Sequence, residues 1–305
     1  METPAAACEI DRLPEELLVH PSPASCEIAR LPDDLLATII TLTSPRDACR
    51  AAAVSRAFRA AADSDDVWSR FLPRDLPRFV DSTEISLSMT PSSKKERFLR
   101  LSDHPALLLG RVTSMWLDKF TGGKCYTLSA RALDISSAGD EPDNWRWTHA
   151  DVLRDVKTGE RNPWQDTEED DSNYVAYMVF KLAGNGTGAH GLHFPYQEAS
   201  VSVGGGESTW QLRACLDAYD DDGAFRVVPR NLVQRAYRDW PDRGTRDVYL
   251  PCKRADGWME LELGKFCSEE EGSDDDEVCV ALTETKFLKP KGGLIVRSIE
   301  IRIKQ

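Results

Sequence analysis

Near residue 124 the spacing of apolar side chains changes from three or four to two, which divides the chain into a helical front and a stranded back. Neither period can serve the other conformation, because half of the apolar residues would then face water. Ahead of the switch, Leu35, Leu36, Ile39 and Ile40 fall along one helical face, with Pro32 at the first helical position and Asp33 and Asp34 in the first turn. Ser44 and Pro45 supply the N-cap and first residue of a second helix, with Asp47 in its first turn. Val54, Phe58, Trp68, Phe71 and Leu72 give the later helical segments an apolar side. Behind the switch, KCYTLSARAL, YVAYMVFKLA, ASVSVG, GWMELELG, EVCVALTETKF and LIVRSIEIRI read as strands between Gly, Asp, Asn and Pro clusters. Many strands with almost no helical pattern between them predict an antiparallel sandwich. The expected fold class is α+β and multidomain, a small all-α module followed by a β-sandwich.

The helical front begins with a repeated phrase, CEIDRLPEELL at 8–18 and CEIARLPDDLL at 26–36. Two copies are too few for a solenoid. After the first copy, Pro21 and Pro23 lack the amides that a growing helix needs. The second copy runs on into the apolar helical pattern and therefore founds the module. Residues 1–25 are expected to be a flexible tail with a degenerate copy, 26–73 the helical module, 74–123 a connector and 124–305 the sandwich. Within the connector, Ser92 and Ser93 precede KKERFLRLSDH, a short helix whose Phe98, Leu99 and Leu101 should dock it against the rest of the protein.

A formal charge of −13 argues against a broad nucleic-acid or anionic-membrane surface, both of which demand an excess of Lys and Arg. No stretch approaches the roughly 18 apolar residues of a membrane span, and the start lacks the basic and apolar regions of a signal peptide. Eight scattered cysteines without CxxC pairs read as reduced thiols of a cytoplasmic or nuclear protein. The Asn185-Gly-Thr187 sequon should then stay bare.

Catalytic and metal motifs are weak. Gly186, Gly188 and Gly191 have GxGxxG spacing, but a proline and a strand-like run follow where a dinucleotide fingerprint needs a helix. His190 and His193 lie three apart without a nearby Cys or acidic partner, short of a zinc ligand set. There is neither a GxSxG elbow nor a cysteine in a catalytic context. No cofactor, metal or catalytic residue is expected. DNWRW is more informative, because Trp145 and Trp147 would share one face of a strand. Sugars stack their C–H faces on aromatic rings while carboxylates and amides hold their hydroxyls. The competing reading is a pair of tryptophans plugging the sandwich core. In GWMELELG, Met259, Leu261 and Leu263 point one way and Trp258, Glu260 and Glu262 the other, a second set of the same chemical type.

The run LPDDLLATIITLTSPRDACRAAAVSRAFRAAADSDDVWSRFLP resembles an F-box. KCYTLSARALDIS, NWRW, YVAYMVFKL, DGWMELELG and GLIVRSIEIR occur in the order of the Nictaba or phloem-protein-2 lectins of plants. The first resemblance implies a substrate receptor of an SCF-type ubiquitin ligase, docking on a Skp-family adaptor and through it on a cullin. By match to the motif, Leu31, Pro32, Leu35, Leu36, Ile39, Val54 and Phe58 are the candidate adaptor contacts. The second implies a jelly-roll-like lectin domain for N-acetylglucosamine oligomers or N-glycan cores. Trp145, Trp147, Glu260 and Glu262 are the candidate carbohydrate contacts. Two positions depart from that pattern. DISSAGDEPD offers no tryptophan ahead of W-x-W, and Lys265 stands where sugar-binding members tend to have an acidic residue. Three functions follow: a ligase receptor for glycoproteins or glycans, a ligase receptor for a protein surface, or a lectin acting without a ligase.

Overall fold

The computed structural model describes residues 31–80, 93–134, 173–183, 189–204, 210–219, 226–236, 248–267, 277–284 and 290–304. The tail with the first repeat, and Trp145 and Trp147, lie outside the described residues.

Four short helices open the described chain: α1 (Asp33–Thr41), α2 (Pro45–Ala51), α3 (Arg56–Ala62) and α4 (Asp65–Phe71). Pro32 is the N-cap of α1 rather than its first residue, and its carbonyl accepts from the Leu35 and Leu36 amides at 3.0 and 3.1 Å. Ser44 caps α2 as expected, its Oγ accepting from the Asp47 amide at 3.1 Å, and Ser55 caps α3 by accepting from the Phe58 amide at 3.2 Å. The front is thus broken into helices of seven to nine residues, each too short to persist without packing. α5 (Lys94–Asp103) is the connector helix, capped by Ser93 through the Glu96 amide. A sixth helix, α6 (Arg230–Ala236), was not expected from the sequence pattern.

Eleven strands are found among the described residues: β1 (Ala106–Leu107), β2 (Thr113–Leu117), β3 (Lys124–Ser129), β4 (Tyr174–Leu182), β5 (Gln197–Val203), β6 (Trp210–Ala214), β7 (Val248–Tyr249), β8 (Cys252–Lys253), β9 (Met259–Phe266), β10 (Val278–Thr283) and β11 (Leu294–Ile303). They form a seven-stranded sheet, ordered β1-β2-β3-β11-β4-β9-β8, and a four-stranded sheet, ordered β10-β5-β6-β7. All pairs are antiparallel except β6–β7, a parallel exception to the expected pattern. The six expected strands are all present. The connector goes further than docking, since it donates β1 and β2 to the long sheet.

One face of the long sheet carries two coverings. Ala176, Met178, Leu261, Leu263 and Ile299 pack with Val201 and Leu212 of the short sheet into the sandwich core. Met115 and Leu117 on the same face of β2 pack instead with Leu36, Ile40, Trp68, Phe98 and Leu101 of the helices. Trp68 is fully buried, donates from Nε1 to the Ala62 carbonyl at 2.6 Å, and meets Phe71 and Phe98 at 5.5 and 5.2 Å between ring centroids. The helical module thus shares an apolar core with β1 and β2, beside the core between the two sheets.

Candidate functional site

Two surfaces remain after the core is closed. The first is the outer side of the helical module. Leu36 and Ile40 of α1 are buried, whereas Leu35 and Ile39 on the same helix are 47% and 48% exposed. Leu42 just beyond α1 is 81% exposed and Val54 is 69% exposed. Side chains of this size do not gain by facing water, and a cluster of them marks an association surface. Of the expected adaptor contacts, Pro32, Leu35, Ile39 and Val54 are exposed, and Leu31 and Phe58 are half-buried against the core. Leu36 is wholly buried in the module core and presents nothing to a partner. Leu42 belongs with the exposed group and was missed, because it lies past the helical period that identified the others.

The second surface is the outer face of the long sheet. Antiparallel register sets Ser298, Glu300 and Arg302 of β11 beside Thr127 of β3 and Val175, Tyr177 and Val179 of β4. Across β4 lie Glu260, Glu262 and Lys265 of β9. A β-bulge makes the last of these possible. Ala176 pairs with Gly264 and Tyr177 with Glu262, so Leu263 is the extra residue. That insertion shifts the alternation by one, which turns Gly264 inward and brings Lys265 to the same face as Glu262, 4.0 Å away. Glu260 and Glu262 stand opposite to Met259, Leu261 and Leu263, as the period predicted.

These polar side chains line a cleft of about 940 Å³, walled on one side by Ser102, Asp103 and Pro105 at the end of α5. Its floor is an ion-pair network. Arg302 bridges Glu260 at 2.9 Å and also holds Glu300, and Arg254 meets Glu300 at 3.0 Å and Glu260 at 3.6 Å. Burial pulls the Arg302 pKa down, but Glu300 and Glu260 outweigh it and hold the guanidinium above its ordinary value. At the rim, burial pushes the Asp256 carboxyl up, but the Trp258 amide, Arg254 and Arg297 outweigh it and keep it below the usual carboxylate range. Lys181 and Arg297 lie 5.2 and 5.3 Å from the Trp258 ring centroid. Burial pushes the Cys125 thiol in the cleft up to about 11, so it stays protonated near neutrality and is a poor nucleophile.

The structure thus brings Glu260 and Glu262 together in one cleft and adds Trp116 and Ser298, which the sequence reading did not single out. Their placement depends on which strands are neighbours, and no local pattern carries that. The His190 amide and carbonyl bridge Gly292, and His193 Nδ1 lies 3.2 Å from the Asp217 carbonyl. Among the described residues no group of three or more His, Cys, Asp or Glu could hold a metal ion, and no helix is long and apolar enough to cross a membrane.

Comparison with known proteins matches both halves of the chain. Residues 28–74 match the F-box-like family and residues 123–303 match phloem protein 2. The chain is 35% identical to F-box protein PP2-B10 of Arabidopsis thaliana, across 87% of this chain and 89% of that protein. It is 34% identical to F-box protein SKIP3 of the same plant, across 88% and 85%, and 34% identical to F-box protein PP2-B15, across 88% and 94%. An F-box-like helical module ahead of a phloem protein 2 sandwich, with relatives matched along nearly their whole length, places this chain in the family of plant F-box proteins that carry a phloem protein 2 domain.

Proposed function

We propose that this chain is the substrate-receptor subunit of an SCF-type ubiquitin ligase. Its F-box helices dock on a Skp-family adaptor, which joins them to a cullin, and its sandwich binds a glycoprotein or an N-glycan of the N-acetylglucosamine type. The observation that carries this reading is the second apolar face of α1, where Leu35 and Ile39 stay exposed while Leu36 and Ile40 fill the core. A partner helix seats on such a stripe through a few anchoring side chains. No covalent step occurs on this chain; the complex supplies the catalytic cysteine. Such a receptor works in the cytoplasm or nucleus, where its six described free thiols stay reduced. Full-length protein co-expressed with a Skp-family adaptor and a cullin should elute with both as one complex. Elution of the chain apart from the adaptor would remove the ligase reading.

The carbohydrate half of this proposal rests on Trp145 and Trp147 with Glu260 and Glu262. A second reading, a sandwich that grips a protein surface without sugar, is favoured by the two departures from the lectin pattern, the absence of tryptophan from DISSAGDEPD and Lys265 in place of an acidic residue. Binding of chito-oligosaccharides by the full chain, lost in Trp145→Ala without a fall in melting temperature, supports the first. Wild-type protein that binds no glycan supports the second.

A further inference from the structure

We propose that the cleft on the outer sheet face is a composite site for a neutral, hydroxyl-bearing ligand, with Trp116 as its stacking platform and Ser298 as its buried hydrogen-bonding group. This rests on the sandwich being the target-binding half of the chain, but not on Trp145 or Trp147. Charge selects the ligand class. Five carboxylates and five cations line the cleft, and the described pairs among them are mutually engaged. A charged ligand would have to break a pair and leave one member uncompensated in a partly buried site. A neutral hydroxyl can accept from a guanidinium or donate to a carboxylate while both pairs persist.

Ser298 supplies an independent sign of a missing partner. It is 2% exposed, lines the cleft, and its Oγ has no hydrogen-bond partner among the described residues. A buried hydroxyl left so is costly, and a ligand hydroxyl or amide would satisfy it. The aromatic surface is equally specific. Arg302 lies 4.7 Å from the Tyr177 ring centroid and covers that ring, whereas Trp116 is half-buried on the cleft wall. Trp116 precedes residue 123, where the phloem protein 2 match begins, and the α5 end completes the same wall. The connector therefore builds part of the binding site. The volume, about 940 Å³, lies within the usual size of small-molecule sites.

The test is an array of neutral, sialylated and sulfated oligosaccharides probed with full-length protein and with Trp116→Ala, Ser298→Ala and Trp145→Ala. Neutral oligosaccharides should bind best. Trp116→Ala and Ser298→Ala should each weaken binding about tenfold or more while melting temperature and adaptor co-elution hold. Should Trp116→Ala lower the melting temperature, Ser298→Ala, which removes one oxygen, decides alone. Unchanged binding in both variants, with loss in Trp145→Ala, overturns the cleft and leaves the carbohydrate reading standing. A preference for acidic oligosaccharides overturns the charge argument and the proposal with it. No binding to any oligosaccharide by wild-type protein overturns both the cleft and the carbohydrate half of the proposed function.

Discussion

His193 Nδ1 lies 3.7 Å from the buried Cys215 Sγ and 3.2 Å from the carbonyl of the buried Asp217, whose carboxylate Arg226 pairs at 2.8 Å. Burial pulls the imidazole below its ordinary 6.5 and Arg226 adds to that, against the raising effects of the Asp217 carbonyl and carboxylate. The neighbouring Cys215 thiol is pushed up to about 12, chiefly by burial, and stays neutral. A histidine harder to protonate in the folded than in the unfolded state contributes stability that is full above about pH 6.5 and fades as pH falls below it. The melting temperature of the wild type should therefore fall more steeply between pH 7 and pH 5 than that of His193→Gln. Equal slopes would show that His193 is not a source of the acid sensitivity. At this scale the sequence was legible where one strand sufficed. Glu260 and Glu262 share a face because the period of β9 requires it. Ser298 and Trp116 were not legible as site residues, since their roles come from the register of β11 and from β2 having joined the sheet.

Among the elements, β9 shows how one irregularity sets both faces of a sheet. At Gly264 an added Cβ would lie 2.7 Å from Trp210 Cδ1 and 2.7 Å from Val201 Cγ2, both on the short sheet. The missing side chain lets the two sheets approach while the bulge at Leu263 delivers Lys265 to the cleft. Gly264→Ala should overpack this contact and destabilise the protein by about 1–3 kcal/mol, read by urea unfolding. A change within about 0.5 kcal/mol, the range of ordinary surface substitutions, would mean that the contact is looser than described. Long periodic elements such as β4, β9 and β11 were legible because burial demands their pattern. β7 and β8 span two residues each and α6 seven, too short for periodicity to register. The β6–β7 pair is parallel because of chain path, which residue pattern does not encode.

On the scale of the whole molecule, the F-box helices, the connector helix and the edge of the long sheet are tied through one core. Phe98 and Leu101 of the connector helix touch the same apolar cluster as Leu36 of the F-box and Met115 of the long sheet. The sequence pattern places the change from helices to strands at residue 124, whereas β1 and β2 lie ahead of it and α6 behind it, elements too short for their period to register. Helix α1 has two apolar faces, Leu36 and Ile40 in the core and Leu35 and Ile39 at the surface. The direct measurement is adaptor affinity and melting temperature for Ile39→Asp and Ile40→Ala side by side. Ile39→Asp should lower affinity for a Skp-family adaptor about thirtyfold or more, the scale of an interface anchor, and leave the melting temperature nearly unchanged. Ile40→Ala, at 2% exposure, should cost about 2–5 kcal/mol of stability. Undiminished adaptor binding by Ile39→Asp would contradict the assignment of that exposed face to the ligase.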